Sequence, residues 1–159
     1  MPSPFFEFEQ DFVGSLRCIP MVVRHHLDTC GVKLKLEHWN HFSQSQRQAL
    51  VEWPCNTHST AQVYREQLQQ MIIEQTGAPA KTLEVSSVPD WKQTDTIPDA
   101  VVTKFAQQQV PLTVSQWASL SELARFALIK LSRASHENQN FIPAVKEFGL
   151  LTQSAQLSI

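Results

Sequence analysis

The sequence predicts a mainly α-helical fold, and three observations predict it. Apolar residues recur at helical spacing, proline, serine and glycine stand where helices start and stop, and one stretch occurs twice. Residues 18–59 and 96–137 align without a gap at an offset of 78. They share 11 identities in 42 positions: Ile19/Ile97, Pro20/Pro98, Val23/Val101, Val32/Val110, Leu34/Leu112, Trp39/Trp117, Ser43/Ser121, Arg47/Arg125, Ala49/Ala127, Leu50/Leu128 and His58/His136. The matches fall on apolar positions, a turn proline and one arginine, which is the pattern of a duplicated structural unit. The predicted architecture is one compact helical domain over residues 1–159, built from two related units (about 18–59 and 96–137). A linker at 77–95 joins them, a tail runs over 150–159, and a short two-stranded β pairing between the units has room to form.

The elements follow in order. Phe5, Phe6, Phe8 and Phe12, interleaved with Glu7, Glu9 and Asp11, are expected to lay rings on the core, as a strand or as a helical turn. Pro20 suits the first turn of a helix, Val23 and Leu27 recur along it, and Gly31 stops it; Pro98, Val101 and Phe105 repeat the pattern. The alternating stretches VKLKL (32–36) and VPLTV (110–114) suit short half-buried strands, the second confined to an edge by Pro111. Trp39 with Phe42, and Trp117 with Leu120, fit one face of a short helix. A longer helix begins after Ser43, where Ser-x-x-Gln to Gln46 makes a capping box, and stops at Pro54. Its counterpart begins at Ser121 and reaches about Arg133.

Between the copies, residues 59–75 form the clearest amphipathic helix, with Tyr64, Leu68, Met71, Ile72 and Gln75 on one side and Gly77 at its end. Residues 77–95 read as a surface connection anchored by Trp91. Residues 136–141 read as a polar loop, 143–149 as one or two helical turns, and the tail as frayed.

A chain of 159 residues, 42% apolar and 18% charged, can bury a sizeable core. With 13 basic and 15 acidic residues the formal charge is −2, so nothing in bulk attracts nucleic acid or anionic lipid. A DNA-reading helix at 121–133, with Arg125, Lys130 and Arg133, would need a basic face the sequence does not show. The acidic N-terminus has no secretory pattern, and no apolar run nears the roughly 18 to 20 residues of a membrane span. Three cysteines, an odd count, suit a reducing cytoplasm, the expected location.

With 4 glycines and no Gly-x-Gly-x-x-Gly, Walker or Gly-x-Ser-x-Gly pattern, the usual cradles for phosphates and elbows for nucleophiles are absent, and the chain reads as non-catalytic, without a cofactor. Cys18, Cys30 and Cys55 lie in the first copy among five of the six histidines, a distribution that a metal site grafted on one half would leave. Their spacings are long and irregular, however, and free cysteines are common in ordinary cores. Arg47 and Arg125 are read chiefly as helix-end residues bonded to carboxylates or carbonyls, and the two tryptophans as core anchors. The loop His136, Glu137, Asn138, Gln139, Asn140 serves local turns or recognition.

Three segments, FFEFEQDFVGSLRCIPMVVR (5–24), CGVKLKL (30–36) with Trp39, and LIKLSRASHENQNFIPAVKEFG (128–149), give the chain a resemblance to the small nitrate reductase-associated proteins of cyanobacteria, over about residues 5–149. Arg17-Cys18-Ile19-Pro20, Cys30-Gly31 and the Ser-His-Glu-Asn loop are specific in combination. The resemblance implies a non-catalytic accessory of assimilatory nitrate reductase, a molybdopterin and iron–sulfur enzyme, binding it as a protein partner and assisting its maturation or activity. On that reading Arg17, Arg24, Arg47, Arg125, His136, Glu137, Asn138 and Asn140 are the expected partner-binding residues. The alternative is a metal or iron–sulfur carrier using Cys18, Cys30 and Cys55.

Overall fold

The structure, a computed structural model, describes residues 5–13, 15–133 and 140–151. It is mainly helical, and the chain divides into two compact units, Met1–Ser86 and Ser87–Ile159.

In the first unit a 3-10 turn at Glu7–Glu9 leads into α1 (Gln10–Val13), followed by α2 (Met21–Cys30), α3 (Leu36–His41), α4 (Gln44–Glu52) and α5 (His58–Thr76). Glu9 is nearly fully buried, and its carboxylate accepts the backbone N–H groups of Phe6 at 3.2 Å and Met21 at 3.1 Å. It thereby supplies an acceptor at the N-terminus of α2, where Pro20 as N-cap has no hydroxyl to offer. Gly31 ends α2 at φ +80°, and Gly77 ends α5 at φ +83°. Ala61, Tyr64, Leu68, Met71 and Ile72 form the buried face of α5, which packs on α2; Gln75, expected on that face, is exposed.

The second unit holds a 3-10 turn at Asp90–Lys92, α6 (Asp99–Gln107), α7 (Val114–Ser119), α8 (Glu122–Arg133) and α9 (Phe141–Glu147). α8 is buried almost all round, against α6, α9 and the Asp90–Lys92 turn. Trp91 anchors that turn edge-on to Phe126 at 5.1 Å, as its large apolar ring suggests.

The stretches expected to be strands are not. Leu36 and Val114 open α3 and α7 instead, and among the described residues the one bridge on these stretches joins Val32 to Thr82. The reason is local at 113–116: Thr113 accepts the Gln116 N–H at 3.1 Å and the Gln116 side chain accepts the Thr113 N–H at 2.9 Å, a capping box that favours a helix. Residues 77–95 are mostly exposed, and their first part is tied down. Lys33 N–H donates to Lys81 O and Leu83 N–H to Gly31 O, both at 2.8 Å, so the first part closes back on the end of α2.

Several elements stand at the 78-residue offset. α3 and α7 begin and end 78 residues apart, and so do the starts of α4 and α8. The N–H of Val32 bonds to Leu27 O at 3.1 Å, and that of Val110 to Phe105 O at 3.0 Å, closing α2 and α6 in the same way. Gln109, at φ 57°, takes the left-handed position that glycine holds at residue 31.

Candidate functional site

Buried polar side chains are the natural place to look for chemistry, because each must be given a partner on folding. Two sets stand out: an indole–guanidinium pair in each unit, and a thiol cluster in the first.

Trp39 is fully buried and its indole N–H donates to Leu16 O at 2.9 Å. Arg47 lies 5.7 Å over the same ring and donates to the carbonyls of Trp39 (3.1 Å), Leu16 (3.0 Å) and Asn40 (3.0 Å). Leu16, held at φ 62°, therefore presents one carbonyl to two donors, which offsets a backbone conformation that disfavours a branched side chain. In the second unit the Trp117 indole N–H donates to Gln93 O at 2.9 Å. Arg125, only 7% exposed, donates to Trp91 O at 2.7 Å and to Leu120 O, with longer contacts to Trp117 O and Ala118 O at 3.5 Å. Both arginines cap helix-end carbonyls, as the structural reading of them holds. Arg125 is withdrawn from the surface, and its guanidinium is spent on backbone acceptors at the end of α7 and in the Asp90–Lys92 turn.

The other expected contact residues are differently placed. Arg17 and Arg24 are exposed, and Arg24 Nε reaches back to Ile19 O at 3.1 Å. Asn140 is half-buried at the start of α9, where its side chain makes no capping bond. His136, Glu137 and Asn138 lie outside the described residues.

The thiol cluster lies where the end of α2 meets the connection from α4 to α5. Cys30 and Cys55 are buried and reduced, and each acts on the ionisation of the other. Cys55 Sγ also donates to His26 O at 3.6 Å and Cys30 Sγ to Leu27 O at 3.8 Å. The bond from Cys55 holds the Cys30 thiol below its ordinary value; burial opposes this, while backbone N–H groups and Arg65 reinforce it. Cys55 is pushed up by that same bond, by burial and by the charge on Cys30.

Beside the pair, Tyr64 OH donates to Leu50 O at 2.6 Å and His26 Nδ1 lies 3.4 Å from the same carbonyl, near the C-terminal end of α4. The His26 ring meets Tyr64 edge-on at 5.0 Å. Burial lowers His26 to about 4; the Leu50 carbonyl opposes the shift, and His25 adds to it. Burial also raises the Tyr64 phenol, with the two cysteines contributing.

Cys30 opens on a cavity of about 640 Å³, lined also by Thr29, His58, Gln62, Arg65 and Glu66. Cys18 is half-buried, and among the described residues no three His, Cys, Asp or Glu side chains come together to hold a metal, so the carrier alternative has no ligand set there. A more apolar cleft of about 450 Å³ lies between Trp53, Pro54, Val63 and Tyr64. Sequence reasoning missed Glu9, the Tyr64 hydroxyl and the pairing of two of the three cysteines.

Fold and site define a small helical protein that turns Trp39, Trp117 and two helix-end arginines onto its own backbone and keeps a buried thiol pair beside a cavity. The chain belongs to the conserved nitrate reductase-associated protein family, which it matches over residues 5–148. No protein of curated function matches the chain, and no solved structure does.

Proposed function

We propose that this protein is a non-catalytic accessory that binds nitrate reductase and assists its maturation or activity in nitrate assimilation, acting in the cytoplasm as one domain built from two copies of a helical unit. The observation that carries the reading is family membership over nearly the whole chain, residues 5–148. The shared offset of α3 with α7 and of the starts of α4 and α8 supports the duplication. An adaptor role is also consistent with buried arginines that serve the fold and exposed ones left available to a partner.

The proposed contact residues are Arg17 and Arg24 in the first unit and, separately, Asn140 with the sequence-adjacent His136, Glu137 and Asn138 in the second. Exposed arginines at an interface act through charge complementarity and bidentate bonds to carboxylates. The double variant Arg17→Glu, Arg24→Glu tests this. Capture of nitrate reductase by the purified variant should fall while its circular dichroism and thermal midpoint stay those of the parent. Unchanged capture would remove these residues from the contact.

A further inference from the structure

We propose that Cys30 and Cys55 form a redox-active dithiol, with Cys30 the attacking thiol and Cys55 the resolving one, oxidised by a small hydroperoxide entering through the adjoining cavity. The inference goes beyond reductase binding and does not depend on it.

The geometry has three parts. The two residues lie on different elements, Cys30 closing α2 and Cys55 in the connection from α4 to α5, yet their thiols reach the carbonyls of consecutive α2 residues, Leu27 at 3.8 Å and His26 at 3.6 Å. Both are buried, and only Cys30 lines the cavity, so the pair has one face that a solute can reach. Arg65 in the cavity wall supplies positive charge near that face, and Glu66 and His58 line the same wall. Burial alone would keep a thiol inert; a second thiol as donor and a nearby guanidinium favour the thiolate at Cys30. Tyr64 and His26 are already committed to Leu50 O.

The chemistry balances with one peroxide. The Cys30 thiolate attacks one peroxide oxygen, the O–O bond breaks, hydroxide leaves and takes a proton, and Cys30 becomes a sulfenic acid. Cys55 sulfur then attacks Cys30 sulfur; the S–S bond forms as the sulfenic oxygen leaves as water with the Cys55 proton. Two electrons pass from the two thiols to the peroxide. A dithiol reductant reverses the result by thiol–disulfide exchange.

The test uses the full-length reduced chain with graded hydrogen peroxide, quenching by alkylation and mass spectrometry of the peptides. Cys30 and Cys55 should lose alkylation together and appear as one linked peptide pair, restored by dithiothreitol, while Cys18 is still alkylated. In Cys55→Ser, Cys30 should stop at a sulfenic acid that dimedone captures. Cys18 is the most exposed of the three, so accessibility alone would oxidise it first. That order, separate loss of Cys30 and Cys55 with no linked peptide, or resistance of both to peroxide would overturn the proposal.

Discussion

Replacing Arg125 by methionine keeps much of the apolar stem and removes the guanidinium. The loss falls on Trp91 O and Leu120 O, the two close acceptors, and on Trp117 O and Ala118 O at 3.5 Å. A hydrogen bond to a charged group contributes about 1.5–3 kcal/mol, and an acceptor left buried adds its desolvation penalty. With the residue 7% exposed, water reaches these carbonyls poorly, and the two close bonds together set an expected loss of about 3–5 kcal/mol. Arg47→Met is the internal control. The Arg47 side chain is only half-buried and one of its three bonds at 3.0–3.1 Å, that to Asn40 O, is exposed, so water can replace part of what the donor supplies and about 1–2 kcal/mol is expected. Urea unfolding followed by far-ultraviolet circular dichroism and tryptophan fluorescence reads both variants. Equal shifts in midpoint, or a larger one for Arg47→Met, would refute the argument that burial of the guanidinium decides the difference.

Two further perturbations test other parts of the fold. An alanine Cβ at Gly31 would meet Val85 Cγ2 at 2.8 Å and Leu83 O at 2.9 Å, whereas at Gly77 it meets nothing within 4 Å; φ is positive at both, +80° and +83°. Thermal unfolding should therefore show about 1–2 kcal/mol lost in Gly77→Ala, the conformational part alone, and roughly 3 kcal/mol or more in Gly31→Ala, where the backbone must also move. His26, lowered from 6.5 to about 4 chiefly by burial, binds its proton more weakly in the folded chain than in the unfolded one. Its contribution is complete above about pH 6.5 and is lost as pH falls toward about 4; because the half-buried ring still reaches solvent, the loss is about 1–2 kcal/mol. His26→Gln should flatten that window of the pH–stability curve, and nuclear magnetic resonance titration of the imidazole should give a midpoint well below 6.5.

Much of the fold was legible because its signals are local. Ser43 with Gln46, Pro20, Pro98, Gly31 and Gly77 each mark a helix end by backbone chemistry that a few neighbouring residues decide, and the structure uses every one of them as expected. The stretch expected as a strand at 110–114 carries a competing local signal: Thr113 and Gln116 spell a capping box, and it prevails over the alternation in VPLTV. What could not be read is what distant segments do to each other. Gly31 looked like a helix stop, while its second duty, admitting Leu83 and Val85, depends on a return of the chain some 50 residues later that no period announces. Tyr64 counted as an apolar position on α5, although a buried phenol needs an acceptor, and the acceptor lies on α4. Cys30 and Cys55 have no motif spacing, so only folding brings them together.

The most direct measurement of the central claim is binding of the purified protein to nitrate reductase in two forms, cofactor-free polypeptide and fully assembled enzyme, by titration calorimetry. A maturation role predicts saturable binding with tighter association to the cofactor-free form. Equal affinity would place the protein with the finished enzyme as a subunit or activity partner. Absence of binding to both would contradict the account.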